Sequence, residues 1–147
     1  MPTLLDPLMM REIIMDHYEN PRNRVETKDK AYRQAHMDSA SCIDDIYVQV
    51  KTRGTIVEDV LWHGNSCAIS TSATSIMSEL AKGRDIKYIQ ALYAEYLKML
   101  EGKDFDSACL GEALAFANTG RQPSRIGCAT IGWRGLLEAI SDKGKRG

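Results

Sequence analysis

The sequence lacks the features of a membrane-bound, secreted or nucleic-acid-binding protein. No apolar run in its 147 residues approaches the roughly 20 residues that span a bilayer. Nineteen Lys and Arg residues stand against 20 Asp and Glu residues, so the basic excess that binds nucleic-acid phosphates is missing. The stretch before Arg11 carries Asp6 instead of the basic segment that opens a signal peptide. We therefore expect a cytoplasmic protein without a membrane or nucleic-acid partner.

The length and composition are typical of one globular domain. Hydrophobic residues make up 44% of the chain and charged residues 27%, which is enough apolar material for one core but little for two. We expect a single domain over residues 1–147, in which residues 1–3 and 142–147 form loose tails.

The order of the apolar patterns predicts an α+β fold that begins with a helix. Apolar residues at helical spacing predict a first helix over residues 4–18, and strict alternation over 46–51 predicts a half-buried strand. The β-branched segment 55–62 follows a turn and completes a hairpin. Further predictions are a weaker strand near 31–37, helices from 68 until Gly83, over 86–101 and around 107–118, and a final helix with an apolar stripe from Trp133 to Ile140. Together they predict a small antiparallel sheet of about three strands with helices packed on one face.

The cysteines form neither a disulfide framework nor a C-x-x-C motif. Four are present, at positions 42, 67, 109 and 128, in a chain without a secretion signal, which favours thiol or metal chemistry. Many free cysteines are simply small buried residues. We interpret Cys109 in this way, because it stands inside a predicted helix beside Ala108 and Leu110.

The other three cysteines stand where the chain changes structure. Cys42 precedes the first clear strand, Cys67 opens a helix after Gly64, and Cys128 is predicted at or near the start of the last helix. Free N–H groups and the positive end of a helix dipole favour a thiolate. The thiolate is the form that binds metals and attacks electrophiles, so these positions are candidates for chemistry.

Asp44 follows Cys42 by two residues, which places thiol and carboxylate on the same side of an extended segment. With Cys67 and Cys128 they would form a four-ligand set suited to tetrahedral Zn²⁺ or to an iron–sulfur cluster. Asp45 is an equal neighbour, and either acid could instead cap a turn. Such a set carries excess negative charge, and Arg125 is the candidate cation to offset it.

Two histidines flank these segments, but neither has a partner at ligand spacing. We expect His17 and His63 to be interfacial or surface residues rather than metal ligands.

Several of these motifs together resemble the U-type proteins of iron–sulfur cluster biogenesis, and the resemblance covers residues 5–140. The matching segments are His17-Tyr18-x-Asn20-Pro21-Arg22-Asn23, Cys42-x-Asp44, Gly64-x-x-Cys67-Ala68-Ile69-Ser70, and Arg125-Ile126-x-Cys128-Ala129 followed by Trp133. Ile43 and Ser66 stand where that family usually has glycine.

Within the family the chain is similar to the SufU branch rather than the IscU branch. The helix predicted over 86–101 occupies the place of the SufU insertion, and Gly127 replaces the histidine that the IscU branch carries beside its last cysteine. The Leu-Pro-Pro-Val-Lys chaperone-binding motif is missing from 122–127. The resemblance implies a single SufU/IscU-like domain.

The resemblance also implies a function and a set of site residues. SufU proteins bind zinc through three cysteines and an aspartate, here Cys42, Asp44, Cys67 and Cys128, and accept persulfide sulfur from the cysteine desulfurase SufS. Cys42 would be the sulfur acceptor, and Arg125 would support docking or charge. The protein would then act as co-substrate or activator of the desulfurase rather than as a stand-alone enzyme. The alternative is a scaffold that assembles a [2Fe-2S] cluster on the same residues and passes it to downstream cluster-assembly proteins.

Overall fold

The computed structural model of the protein describes residues 6–38, 43–141 and 145–146. Cys42 lies outside these residues. The elements in chain order are α1 (Pro7–Glu19), β1 (Arg33–Asp38), β2 (Asp45–Arg53), β3 (Ile56–Asn65), α2 (Ala68–Ala81), α3 (Ile86–Leu100), α4 (Pro123–Ile140) and β4 (Lys145–Arg146). The predicted α+β class with an N-terminal helix is confirmed.

The sheet is antiparallel in the order β3-β2-β1-β4, and its fourth strand is only Lys145–Arg146. That short strand pairs with β1 inside the segment 142–147 for which the sequence predicted a loose tail. Ile46, Val48 and Val50 are fully buried, so the alternation in β2 does direct one face to the core. The β2–β3 register sets Asp45 opposite Asn65, which brings the start of β2 beside the end of β3.

The helices α2 and α4 cover the apolar face of the sheet at very close range. A Cβ atom added at Gly132 would lie 2.2 Å from Thr74 Oγ1, and one at Gly135 would lie 2.8 Å from a methyl group of Val48. Only glycine permits both approaches. The close packing places the first turns of α2 and the early part of α4 side by side.

The start of α4 differs from the prediction. The helix begins at Pro123, whose missing N–H and fixed φ suit a first helical position. Cys128 therefore lies beyond the first turn, and the free N–H groups of a helix start are not available to its thiol. Cys128 is thus near the start of the last helix, as predicted, but not in its first turn.

The segment predicted as a short helix over 107–118 contains two short 3₁₀ helices, Ser107–Cys109 and Gly111–Phe116, and a third, Thr119–Arg121, follows it. Gly111 has a φ of 50°, which interrupts any continuous right-handed helix there. Cys109 is consequently at the end of a turn and half-buried against the core, not in the middle of a helix.

The first helix is held to the rest of the domain by a buried histidine. His17 Nδ1 lies 2.7 Å from Ser75 Oγ on α2, and His17 Nε2 lies 3.1 Å from Glu112 Oε1. The imidazole is 1% exposed, so both ring nitrogens find partners inside the protein. His17 is thus an interfacial residue, as expected. Across the described part of the chain, no helix has the length and apolarity needed to cross a membrane.

Candidate metal centre

Three of the predicted ligands converge at one end of the sheet. One ligand atom from each of Asp44, Cys67 and Cys128 lies within 4.8 Å of the other two. Asp44 precedes β2, Cys67 is the N-cap of α2, and Cys128 lies on α4. Among residues 6–38 and 43–141 this is the one group of three or more such side chains close enough to share a metal ion. Cys42 is outside the described residues, so its place beside them stays a prediction.

Cys67 is positioned by the tight passage from β3 into α2. Gly64 has a φ of 120°, and a Cβ atom there would lie 2.1 Å from the carbonyl oxygen of Asp45. The glycine therefore lets the two strands touch at the residue next to Asp44. The Sγ of Cys67 then accepts the N–H of Ser70 at 3.5 Å, in the manner of an N-cap.

Arg24 contacts the end of β3, where the chain turns towards α2. Arg24 donates to the carbonyl oxygen of Gly64 at 2.7 Å, and its guanidinium carbon lies 5.1 Å from the centroid of the Trp62 ring. The stacked and hydrogen-bonded guanidinium fixes the end of β3 just before Cys67.

Asp44 is buried, and two hydrogen bonds hold its carboxylate oxygen Oδ1. Its Oδ1 accepts the N–H of Cys67 at 2.9 Å and the hydroxyl of Ser70 at 2.6 Å. The residue is 2% exposed, so these bonds stabilise a carboxylate that has little contact with water. Sequence reasoning missed Ser70. The available signal was its spacing, because a residue three positions after an N-cap commonly interacts with the cap.

Asp45 belongs to the other face of the sheet. Its carboxylate forms a short hydrogen bond with His36 Nε2, and its side chain is 49% exposed. His36, Tyr47 and His63 stack across the three long strands, with centroid distances of 4.1 and 4.8 Å. Asp44, not Asp45, faces the two cysteines, and His63 lies in the ring stack as a half-buried residue.

The two remaining candidates, Cys109 and Arg125, are not among the three clustered ligands. The Cys109 thiol donates to the Asp106 carbonyl oxygen at 3.3 Å, and burial together with the Asp106 charge raises its pKa. Its thiolate is therefore disfavoured. Arg125 is exposed in the first turn of α4, one turn before Cys128, and lines a groove together with Arg11 and Ile69.

The donors suit a soft or borderline divalent ion. Two thiols and one carboxylate are typical protein ligands of Zn²⁺, and thiolates also bind iron–sulfur clusters. Asp44 and Cys67 are held by hydrogen bonds, and Cys67 and Cys128 are carried by helices that pack together. The residues present therefore fit a metal centre. They supply three donors, and a four-coordinate ion would accept one more.

The chain is an α+β domain that holds two thiols and a carboxylate close together at one end of its sheet, in an arrangement that could bind a metal ion. A model of the family described as NifU-like N terminal domain matches residues 9–129, and the chain belongs to that family. The chain is 34% identical to the zinc-dependent sulfurtransferase SufU of Bacillus subtilis over 134 residues, covering 90% of each protein. It is 30% identical to the scaffold protein IscU of Streptococcus pyogenes over 129 residues, covering 87% of this chain and 80% of that one.

A solved structure has the same architecture. It is that of an iron–sulfur cluster assembly scaffold protein for the SUF system from Fervidobacterium islandicum, with a TM-score of 0.83 and 26% sequence identity to this chain. The match covers 88% of this chain and 95% of that one. The family resemblance seen in the sequence motifs, including the similarity to the SufU branch, is confirmed.

We expect Asp44→Ala to weaken metal binding and Asp45→Ala to leave it unchanged. The first substitution removes a ligand and also leaves the Cys67 N–H and the Ser70 hydroxyl without their acceptor, at about 1–3 kcal/mol for each unsatisfied group. The second removes only the contact with His36, worth no more than about 1 kcal/mol at the surface. Chelator competition and urea unfolding measure both effects. Equal zinc affinity in the two variants would remove Asp44 from the site.

Proposed function

We propose that the protein is a zinc-dependent sulfur-transfer partner of a cysteine desulfurase in iron–sulfur cluster biogenesis. The observation that carries the proposal is the convergence of Asp44, Cys67 and Cys128 within 4.8 Å in a chain 34% identical to a zinc-dependent sulfurtransferase. Cys42 would supply the fourth ligand and the sulfur-accepting thiol. The expected desulfurase is of the SufS type, and the acceptors are downstream cluster-assembly proteins in the cytoplasm.

Zinc would supply charge that keeps its thiol ligands deprotonated at neutral pH, and it brings no redox chemistry. The residues of the chain do the remaining work. Cys67 and Cys128 lie on packed helices and form the rigid side of the site. Asp44 is a weaker, oxygen-donating ligand whose hydrogen bonds keep it in place when it is not bound to metal.

The transfer step is a thiolate–persulfide exchange. The Cys42 thiolate attacks the terminal sulfur of the desulfurase persulfide, a new S–S bond forms on Cys42, and the S–S bond of the donor breaks. The desulfurase cysteine leaves as a thiolate with the electron pair of the broken bond. The sulfur keeps its oxidation state, so no external oxidant or reductant is needed. The protein acts here as a co-substrate.

A second candidate function is a scaffold on which a [2Fe-2S] cluster is assembled and delivered. The IscU relatives favour it, and so does the thiol-rich donor set, because cysteine thiolates are the usual cluster ligands. In that role the cluster is cargo, and the same four residues would hold it.

Metal content and sulfur acceptance distinguish the two functions. We expect the purified protein to hold one zinc ion per chain, to lack visible absorbance, and to carry one extra sulfur on Cys42 after incubation with a SufS-type desulfurase and cysteine. Mass spectrometry of the peptide containing Cys42 measures the added sulfur. A brown protein with charge-transfer bands that takes up no persulfide would replace the transfer function with the scaffold function.

Arg125 is proposed to support docking or the charge balance of the site. Arg125→Ala retains all four proposed ligands, so we expect zinc to remain bound while stimulation of the desulfurase falls about tenfold, the size of one charged contact worth about 1.4 kcal/mol. Partial rescue by Arg125→Lys would indicate a point-charge role, and no rescue would indicate a bidentate contact. The control variant is Lys87→Ala, because Lys87 is an exposed cation at the start of another helix, α3. Unchanged turnover with Arg125→Ala would leave it a solvated surface arginine.

A further inference from the structure

One side chain that is not among the predicted ligands contacts two of them. Ser70 is fully buried in the first turn of α2. Its hydroxyl donates to Asp44 Oδ1 at 2.6 Å, and its Oγ lies 3.2 Å from Cys67 Sγ. The side chain therefore connects a carboxylate on the loop before β2 with a thiol at the start of α2.

This contact differs from the hydrogen bonds that the hydroxyls of Ser72 and Ser78 donate on the same helix. Ser72 donates to the carbonyl oxygen of Ala68 at 2.7 Å, and Ser78 donates to that of Ser75 at 2.7 Å. Both of those hydroxyls return to their own helix backbone, as mid-helix serines commonly do. Ser70 Oγ also lies 3.2 Å from the carbonyl oxygen of Cys67, but its shorter hydrogen bond, at 2.6 Å, is donated to Asp44, 26 positions away in the chain.

The chemistry of the contact is that of a ligand-orienting hydrogen bond. A carboxylate rotates freely about its Cβ–Cγ bond unless a donor fixes its plane, and here the Ser70 hydroxyl and the Cys67 N–H both hold Oδ1. Donors of this kind set the orientation of metal ligands, and removing one typically lowers metal affinity about 10–100-fold. The burial of Ser70 excludes water as an easy substitute donor.

We infer that Ser70 is a positioning residue of the metal centre, which fixes the Asp44 carboxylate in the orientation from which it binds zinc. The inference rests on the proposed function, in which Asp44, Cys67 and Cys128 hold Zn²⁺. Ser70 acts through Asp44 and Cys67 and does not itself bind the metal. Ser70 also keeps the Asp44 carboxylate beside the two cysteines while the carboxylate is not bound to the metal. The carboxylate can then bind again without first changing its orientation.

The test compares Ser70→Ala with Ser72→Ala in the full chain. Both remove one buried hydroxyl from α2, but only Ser70→Ala removes a contact with the site. We expect zinc affinity, measured by chelator competition, to fall about 10–100-fold in Ser70→Ala and to change less than twofold in Ser72→Ala. The absorption bands of the Co²⁺-substituted protein should shift in Ser70→Ala alone, because they report the ligand geometry.

The melting temperatures of the metal-free variants separate positioning from a general packing role. Similar zinc affinities and Co²⁺ spectra in the two variants would overturn the role of Ser70, even if Ser70→Ala melts at a lower temperature. Wild-type protein that binds neither Zn²⁺ nor Co²⁺ would overturn the proposed function itself, which makes the two failures distinguishable. A Co²⁺ spectrum that shifts together with a tenfold loss of zinc affinity supports the inference.

Discussion

The Cys67→Ser variant is expected to be purified without zinc and to lose the stabilisation that zinc gives the wild type. Cys67 is the N-cap of α2, and its Sγ atom lies within 4.8 Å of a carboxylate oxygen of Asp44 and of the Sγ atom of Cys128. A serine hydroxyl is not ionised at neutral pH and is a poor zinc ligand. We expect the affinity to fall by more than about 100-fold, since even changes in groups that merely orient ligands cost 10–100-fold. Zinc content and the melting temperature with and without added zinc measure the effect.

Cys109→Ser is the matched control for this prediction. Cys109 is half-buried like Cys67, so both substitutions exchange a partly accessible sulfur for oxygen. Its thiol bonds to the Asp106 carbonyl oxygen, which a serine hydroxyl can also do, and its raised pKa keeps it protonated. We expect zinc content and sulfur acceptance to stay near the wild-type values. Equal loss of zinc in both variants would contradict the site.

The elements that sequence predicted well are those whose signals are local. Alternation in β2 placed Ile46, Val48 and Val50 on one buried face, and apolar residues at helical spacing predicted the first helix, which spans Pro7–Glu19. Both signals depend on residues a few positions apart. The predicted nearness of Asp44, Cys67 and Cys128 came from their flanking patterns and from the family resemblance, since their spacing alone matches no metal motif.

The features that the sequence did not predict depend either on an ambiguous local signal or on contacts between distant segments. The start of α4 at Pro123 was missed because a proline after a turn is compatible with both a break and a first helical position. The role of Ser70 depends on Asp44 arriving from another strand, which no local pattern encodes. The 3₁₀ helices over 107–121 are stabilised by packing against the core rather than by a helical propensity of their own sequence.

Gly64 illustrates a residue for which fold and site cannot be separated. Its φ of 120° is unfavourable for any side chain, and an added Cβ would lie 2.1 Å from the carbonyl oxygen of Asp45, which cannot move without shifting Asp44. The strained backbone costs about 1–3 kcal/mol. Relieving the overlap costs about another 1–3 kcal/mol. Relief requires β2 and β3 to separate at the end where the ligands meet.

We therefore expect Gly64→Ala to lower the free energy of unfolding of the metal-free protein by several kcal/mol and to abolish stoichiometric zinc binding. Gly127→Ala is the control, because Gly127 is the immediate neighbour of Cys128 and a Cβ atom there meets nothing within 4 Å. Alanine inside a helix is better than glycine by about 0.5–1 kcal/mol, so this variant should be slightly more stable and retain zinc. Urea unfolding and zinc analysis of the two variants measure the difference. If Gly64→Ala unfolds at the same urea concentration as the wild type and retains its zinc, the close contact between β3 and Asp45 does not position the ligands. If the variant is destabilised but retains zinc, the contact stabilises the sheet without setting the geometry of the metal site.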